Sequence, residues 1–261
     1  MEIWQIPVVF IVGVTAGVIN TLAGGGSLLT LPILIFLGLP TAMANGTNRF
    51  AIMIQCLFAV AGFKRKGISN FKLSLLLSAP ALIGAVVGAQ IAVDMSDALF
   101  KRVLAIIMLL VLGLILWNPR QSPAKKWHIN PEYDWGTISL GWSRLIITMI
   151  VFFFIGIYGG FIQAGVGFII IAALTTISGL NLMDTNSHKV FVVGVYTVFA
   201  LLVFAFNGKI CWTVGLALAA GNGLGGWLGS HWAVARGERW LRLILAICVV
   251  AMVMKLFGLV P

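Results

Sequence analysis

Charge is what this chain has least of. Of its 261 residues, 9% are Asp, Glu, Lys or Arg, against about 25% in an ordinary soluble domain. A fold of this size has too little interior to hide side chains that are 61% hydrophobic, so a water-soluble globule is excluded and lipid is the solvent. Acids are scarcest, seven in all, with no paired carboxylates and no His, Cys, Asp or Glu cluster at metal-ligand spacing. Acid–base and metal-dependent catalysis therefore find almost no candidates, and no cofactor or metal is expected. Cys56, Cys211 and Cys248 stand singly in apolar runs and carry no redox signature. Residues 1–4 lack the basic stretch of a signal peptide, so the first apolar run is expected to remain as a membrane segment.

What charge there is has one sign. The net charge of +10 would suggest nucleic acid in a soluble protein. Here no extramembrane segment is large enough to grip a duplex, and basic residues flank apolar spans on the cytoplasmic side as a rule. The partners expected are the lipid bilayer and a small anionic substrate, not nucleic acid.

Between Glu2 and Arg49 lie 46 residues without a charge, and between Arg144 and Asp184 another 39. One crossing needs about 20 residues, so each stretch must double back within or across the membrane. Apolar runs fall near residues 3–22, 27–39, 45–63, 71–93 and 99–117, then 144–164, 167–180, 187–206, 211–234 and 240–258. The second set looks like the first. An offset of 141 superposes Gly24 on Gly165, Gly26 on Gly167, Asn45 on Asn186, Gly84 on Gly225 and Gly88 on Gly229. An internal duplication follows. If each half crosses an odd number of times, Lys and Arg divide 12 to one side and 5 to the other; an even number gives 10 and 7. The steeper split favours inverted halves, with Lys64–Lys66 and the 118–143 connection in the cytoplasm.

The stretch Asn20-Thr21-Leu22-Ala23-Gly24-Gly25-Gly26-Ser27 breaks the first uncharged run. Three glycines each cost about 0.8–1.0 kcal/mol in a helix, so the chain is expected to unwind here, and bare amides must then line protein or a wet cavity. A helix starting at Ser27 turns its partly positive end toward an anion. The second half repeats the device at Gln163-Ala164-Gly165-Val166-Gly167. No Gly-Lys-Ser/Thr follows either glycine cluster, which excludes a phosphate-cradling P-loop. The alternative for the triple glycine is close helix packing, the role expected at Gly84/Gly88 and Gly225/Gly229.

The next span opens with Asn45-Gly46-Thr47-Asn48-Arg49 and its counterpart with Asn186-Ser187-His188-Lys189. Each half thus places a cation beside amides and hydroxyls, which is anion-recognition chemistry. The alternative is that Arg49 and Lys189 snorkel to the headgroups. Asp184 is expected to cap the helix that follows, although with His188 it is the pair an intramembrane enzyme would use.

Asn20–Ser27, then Pro32, Gly38-Leu39-Pro40 and Ala44-Asn45-Gly46-Thr47-Asn48-Arg49, resembles the opening signature of the sulfite exporter TauE/SafE family, and Gly237–Arg242 resembles that family's C-terminal end. The resemblance implies a two-repeat permease of the bacterial inner membrane that moves sulfite, sulfoacetate or other small organosulfur or organic anions. The second half has no triple glycine and no equivalent of Pro32 or Pro40, so its site residues rest on the repeat alone.

The fold expected is an all-α polytopic membrane protein with two inverted-topology repeats, each a glycine-interrupted helical hairpin followed by three transmembrane helices. Residues 1–117 form the first repeat, 118–143 a cytoplasmic linker and 144–261 the second repeat. The function expected is a multi-pass anion exporter of the inner membrane working by alternating access, with an anion channel as the alternative and no enzyme activity. The substrate site is expected from Asn20, Gly24, Gly25, Gly26, Ser27, Asn45, Thr47, Asn48 and Arg49 in the first half, and Gln163, Gly165, Gly167, Asn186, His188 and Lys189 in the second. Oligomeric state is left open.

Overall fold

The computed structural model describes residues 5–67, 71–117, 142–178, 180, 182–232, 250 and 254. Most of the expected linker, the span at 240–258, Gly237–Arg242 and Cys248 lie outside the described residues. Within them the chain is helical, with no strand. In order come α1 (Gln5–Leu22), α2 (Ser27–Phe36), α3 (Thr41–Arg65), α4 (Phe71–Asp94), α5 (Asp97–Trp117), α6 (Trp142–Phe161), α7 (Val166–Ile177), α8 (Leu182–Phe206) and α9 (Trp212–Trp232). By length and composition α1, α3, α4 and α8 can each cross a membrane. The 10 residues of α2 reach only about 15 Å, half of a hydrocarbon core.

Polarity is distributed as a lipid solvent requires. Ile11, Leu57, Leu75, Leu110, Phe154 and Leu216 are exposed, while Asn45, Asn48, Arg49, Gln163 and Lys189 are buried. Apolar surface faces out and hydrogen-bonding groups face one another.

Local chemistry sets the ends. At the start of α3 the Asp97 carboxylate accepts from the Thr41 amide at 3.1 Å and its hydroxyl at 2.5 Å, so α5 caps a neighbouring helix. After α2 and α8 the chain stops in the same way: Leu39 and Lys209 donate back to Leu34 O and Phe204 O over a glycine, Gly38 or Gly208. Asp184 lies inside the first turn of α8, which begins at Leu182, five residues before the run expected to open at 187; its charge suits the helix start from within the first turn.

Small residues let the helices touch. Gly84 and Gly88 of α4 meet the backbone of α6 at Phe153 and Ile157, while Gly156 and Gly160 of α6 meet Ala81 and Ala85. The other half makes the reciprocal contact: Gly13 and Gly17 of α1 lie on the α9 backbone near Leu218 and Asn222, and Gly221 and Gly225 lie on Phe10 and Val14. Residue numbers rise together along both seams, so α1 runs parallel to α9 and α4 to α6. The α3–α9 contact advances likewise, from Thr47 beside Gly215 to Gly62 beside Ser230.

One expectation needs correcting. The offset of 141 relates α3 to α8 and α4 to α9, but α1 and α6 end 139 residues apart, at Leu22 and Phe161, and Ser27 and Val166 begin α2 and α7 at the same 139. The two residues are made up in α7, which has 12 to the 10 of α2. The backbone agrees: Ala23 and Gly24 both donate to Ile19 O, as Ile162 and Gln163 both donate to Tyr158 O. At the end of the first helix the structural counterpart of Gly24 is therefore Gln163; Gly26 and Gly165 both precede the restarted helix but differ in backbone, with φ −58° and 75°. Matching glycines align by residue type, whereas the hydrogen-bond pattern decides where a helix restarts.

Candidate functional site

The helix breaks supply the centre. From Ala23 to Gly26 the chain leaves the helix, with Gly24 at φ +83°, and α2 starts at Ser27. From Ile162 to Gly165 it leaves again, with Gln163 at φ 67° and Gly165 at φ 75°, before α7. The breaks are in contact: a Cβ built on Gly24 falls on the backbone of Gly167, and one on Gly167 falls on Gly24. Only two bare backbones approach this closely. The Gly24 amide is taken by Ile19 O at 3.1 Å, and Leu28 and Leu29 donate to Gly25 O and Gly26 O at 3.0 Å. The amides of Gly25, Gly26 and Ser27 take no backbone carbonyl among the described residues.

Beside the first break runs one stripe of α3, each member three or four residues from another: Asn45, then Asn48 and Arg49, then Ile52 and Gln55. Asn45 Nδ2 donates to Phe161 O at 2.7 Å. Asn48 Oδ1 accepts from the Thr30 hydroxyl of α2 at 2.6 Å. Gln55 accepts from Asn20 at 2.8 Å and donates to the Thr21 hydroxyl at 3.2 Å. Arg49 reaches furthest, donating from Nη1 to Gln163 Oε1 at 3.1 Å and from Nη2 to Gly160 O. Its guanidinium carbon stands 5.0 Å from the Phe204 ring centroid, within cation–π range.

The second cation is placed alike. On α8, Lys189 Nζ donates to Asn186 Oδ1 at 2.6 Å and to Thr21 O at 3.0 Å. Arg49 is 0% exposed and Lys189 2%, so neither snorkels. Among the described residues, both donate only to neutral groups. The C-terminal ends of α1 and α6 meet the N-terminal starts of α2 and α7 at the breaks, so the four half-charges cancel to first order. Each of the two side chains, when protonated, places a positive charge in surroundings where an unpaired charge is costly.

Among the described residues, several buried polar atoms here make no hydrogen bond of good geometry: Asn45 Oδ1, Asn48 Nδ2, Arg49 Nε and the Tyr196 hydroxyl. The first three lie on the α3 stripe. The Tyr196 hydroxyl packs against Gly159, next to the carbonyl that Arg49 holds. Buried groups of this kind are normally satisfied, so four together ask for a ligand or water.

Of the expected site residues, the structure brings Asn20, Asn45, Asn48, Arg49, Gln163, Asn186 and Lys189 around the touching segments that carry Gly24, Gly25, Gly26, Ser27, Gly165 and Gly167. Two stand apart. Thr47 accepts from the Cys211 amide at 2.9 Å, at the start of α9. His188 Nδ1 pairs with the Ser74 hydroxyl of α4 at 2.7 Å. Sequence reasoning missed Gln55, Tyr196 and Phe204. The first two follow Asn48 and Lys189 by seven residues, two helical turns on, and that spacing was the available signal. Nor are the cations true counterparts: an offset of 141 sets Lys189 against Asn48 and Arg49 against Val190.

Comparison with known proteins identifies the family. A probable membrane transporter protein of Haemophilus influenzae is 28% identical, over 95% of this chain and 93% of its own. A probable membrane transporter protein (ORF9) of Sinorhizobium is 26% identical over 95% and 91%, and the probable membrane transporter protein YfcA of Escherichia coli is 26% identical over 95% and 88%. No solved structure matches significantly. The family model for the sulfite exporter TauE/SafE matches residues 9–256, nearly the whole chain, and the protein belongs to this family of membrane transporters.

Proposed function

We propose that the protein exports small anions, such as sulfite, sulfoacetate or related organosulfur or organic anions, across the inner membrane by alternating access of two inverted halves. One observation carries the reading. Arg49 and Lys189 are buried on neutral partners beside two touching helix breaks. A small anion supplies the missing countercharge, with Arg49 Nε and Asn48 Nδ2 as idle donors facing the ligand. The amides of Gly25, Gly26 and Ser27 add backbone N–H donors at the start of α2.

The inverted arrangement is supported by the direction of α9, which runs with α1 and α3, whereas α4, its repeat counterpart, follows α3 after a short connection and runs back. Each cation holds a carbonyl of the other half, so an anion that draws Arg49 or Lys189 toward itself loosens that tie and frees the halves to rock. Burial of these side chains favours such a carrier over an open channel.

The test is anion flux into proteoliposomes. Arg49→Gln and Lys189→Gln are expected to lower sulfite or sulfoacetate flux at least about tenfold, the worth of one charge-assisted hydrogen bond, while eluting as folded protein. Unchanged flux in both removes them from the site. Counterflow of labelled substrate identifies a carrier, and its absence a channel.

A further inference from the structure

We infer that the membrane-facing groove between α3 and α9 holds one acyl chain of an anionic phospholipid, with the lipid phosphate against Arg65. The groove encloses about 350 Å³ and is lined by Ile54, Phe58, Ala219, Gly223, Leu224 and Trp227. Phe58, Leu224 and Trp227 are exposed, so the groove opens to the bilayer. Its occupant is set by what stands at its end.

On α3, Ile54, Phe58, Ala61 and Arg65 are separated by four, three and four residues, which puts them on one stripe. On α9, Ala220, Leu224, Trp227 and His231 form the facing stripe, with the His231 ring 4.4 Å from that of Trp227. The two stripes finish side by side: Gly62 packs on Ser230, and Lys66 Nζ donates to Ser230 O at 2.7 Å and His231 O at 2.9 Å. Lys66 is thereby spent on the end of α9, leaving Lys64 and Arg65 exposed. Seven residues, about 10 Å, separate Phe58 from Arg65, so a chain lying on Phe58 brings its headgroup to the guanidinium.

Basic residues end many membrane spans. The added feature is register, since the apolar groove runs into Arg65. A zwitterionic lipid finds the groove but brings its own cation to Arg65, and a soluble phosphate finds the charge without the groove.

Native mass spectrometry of the purified protein with equimolar phosphatidylglycerol and phosphatidylcholine of identical chains tests this. Phosphatidylglycerol is expected to be retained in preference. Arg65→Gln is expected to lower that retention about fivefold, as one basic residue at a membrane surface is worth. Gly223→Leu is expected to abolish it, because a Cβ there already stands 3.2 Å from Phe58 and 3.3 Å from Ile54. Equal retention of the two lipids overturns the proposal. So does retention unchanged by Arg65→Gln, displacement of the lipid by glycerol 3-phosphate alone, or a lipid-free dimer closed through this face.

Discussion

Arg49 and Lys189 hold equivalent carbonyls of opposite halves. Arg49 donates to Gly160 O near the end of α6, and Lys189 donates to Thr21 O near the end of α1. Gly160 and Thr21 are 139 residues apart, the same separation that relates Ser27 to Val166. A helix ending inside a membrane leaves carbonyls without water, and a cation from the partner half satisfies them.

Anion binding should therefore be visible as stability. Sulfite or sulfoacetate at about 100 times its dissociation constant adds about 2.7 kcal/mol to the folded state. A rise in the unfolding temperature is expected for the parent protein and none for Arg49→Gln or Lys189→Gln, measured in detergent by intrinsic tryptophan fluorescence. An equal rise in both variants places the anion elsewhere.

Gly24→Ala combines two penalties. The left-handed backbone costs about 1–2 kcal/mol, and the collision with Gly167 about 1–3 kcal/mol more. Gly38→Ala separates them, since Gly38 has φ +92° but nothing within 4 Å of its would-be Cβ. Thermal unfolding is expected to place Gly38→Ala about 1 kcal/mol below the parent and Gly24→Ala clearly lower, with flux lost only in Gly24→Ala.

Gln163 accepts the left-handed strain that Gly24 avoids in the other half. Its side chain accepts from Arg49 and donates to Thr197 at 3.5 Å. Gln163→Gly relieves about 1–2 kcal/mol of backbone strain while releasing the guanidinium. Unfolding temperature close to the parent's, with reduced anion flux, is the expected pairing; full flux would leave Gln163 with a purely structural part.

Asp97→Ala removes the acceptor for the Thr41 amide and hydroxyl. A loss of about 1 kcal/mol in thermal unfolding is expected, with flux per folded molecule preserved, because this cap lies at the N-terminal end of α3, about two turns before Arg49.

The first break was legible because three successive glycines announce it, and α2 begins at the expected Ser27. The second was legible in place but not in form: a glutamine carries the turn that Gly24 makes, and residue type gave no sign of it. The packing role of Gly84/Gly88 and Gly225/Gly229 followed from spacing, since a small residue every fourth position has one common use, whereas their partners on α6 and α1 did not. The reach of Arg49 and Lys189 across the halves could not be read. A cation at the head of an apolar run has the same sequence whether it turns to the headgroups or inward. Thr47 and His188 were drawn into the site by adjacency along the chain, but a step of one residue turns a helix by about 100° and sends their side chains to α9 and α4.

The bare meeting of Gly24 with Gly167 has a mechanical consequence. With no methyl or larger group interposed, the surfaces carry no teeth, so the contact resists compression yet lets either part swivel over the other. The rocking of the halves proposed above would use this spot as a fulcrum, and even one added carbon there would turn a bearing into a wedge.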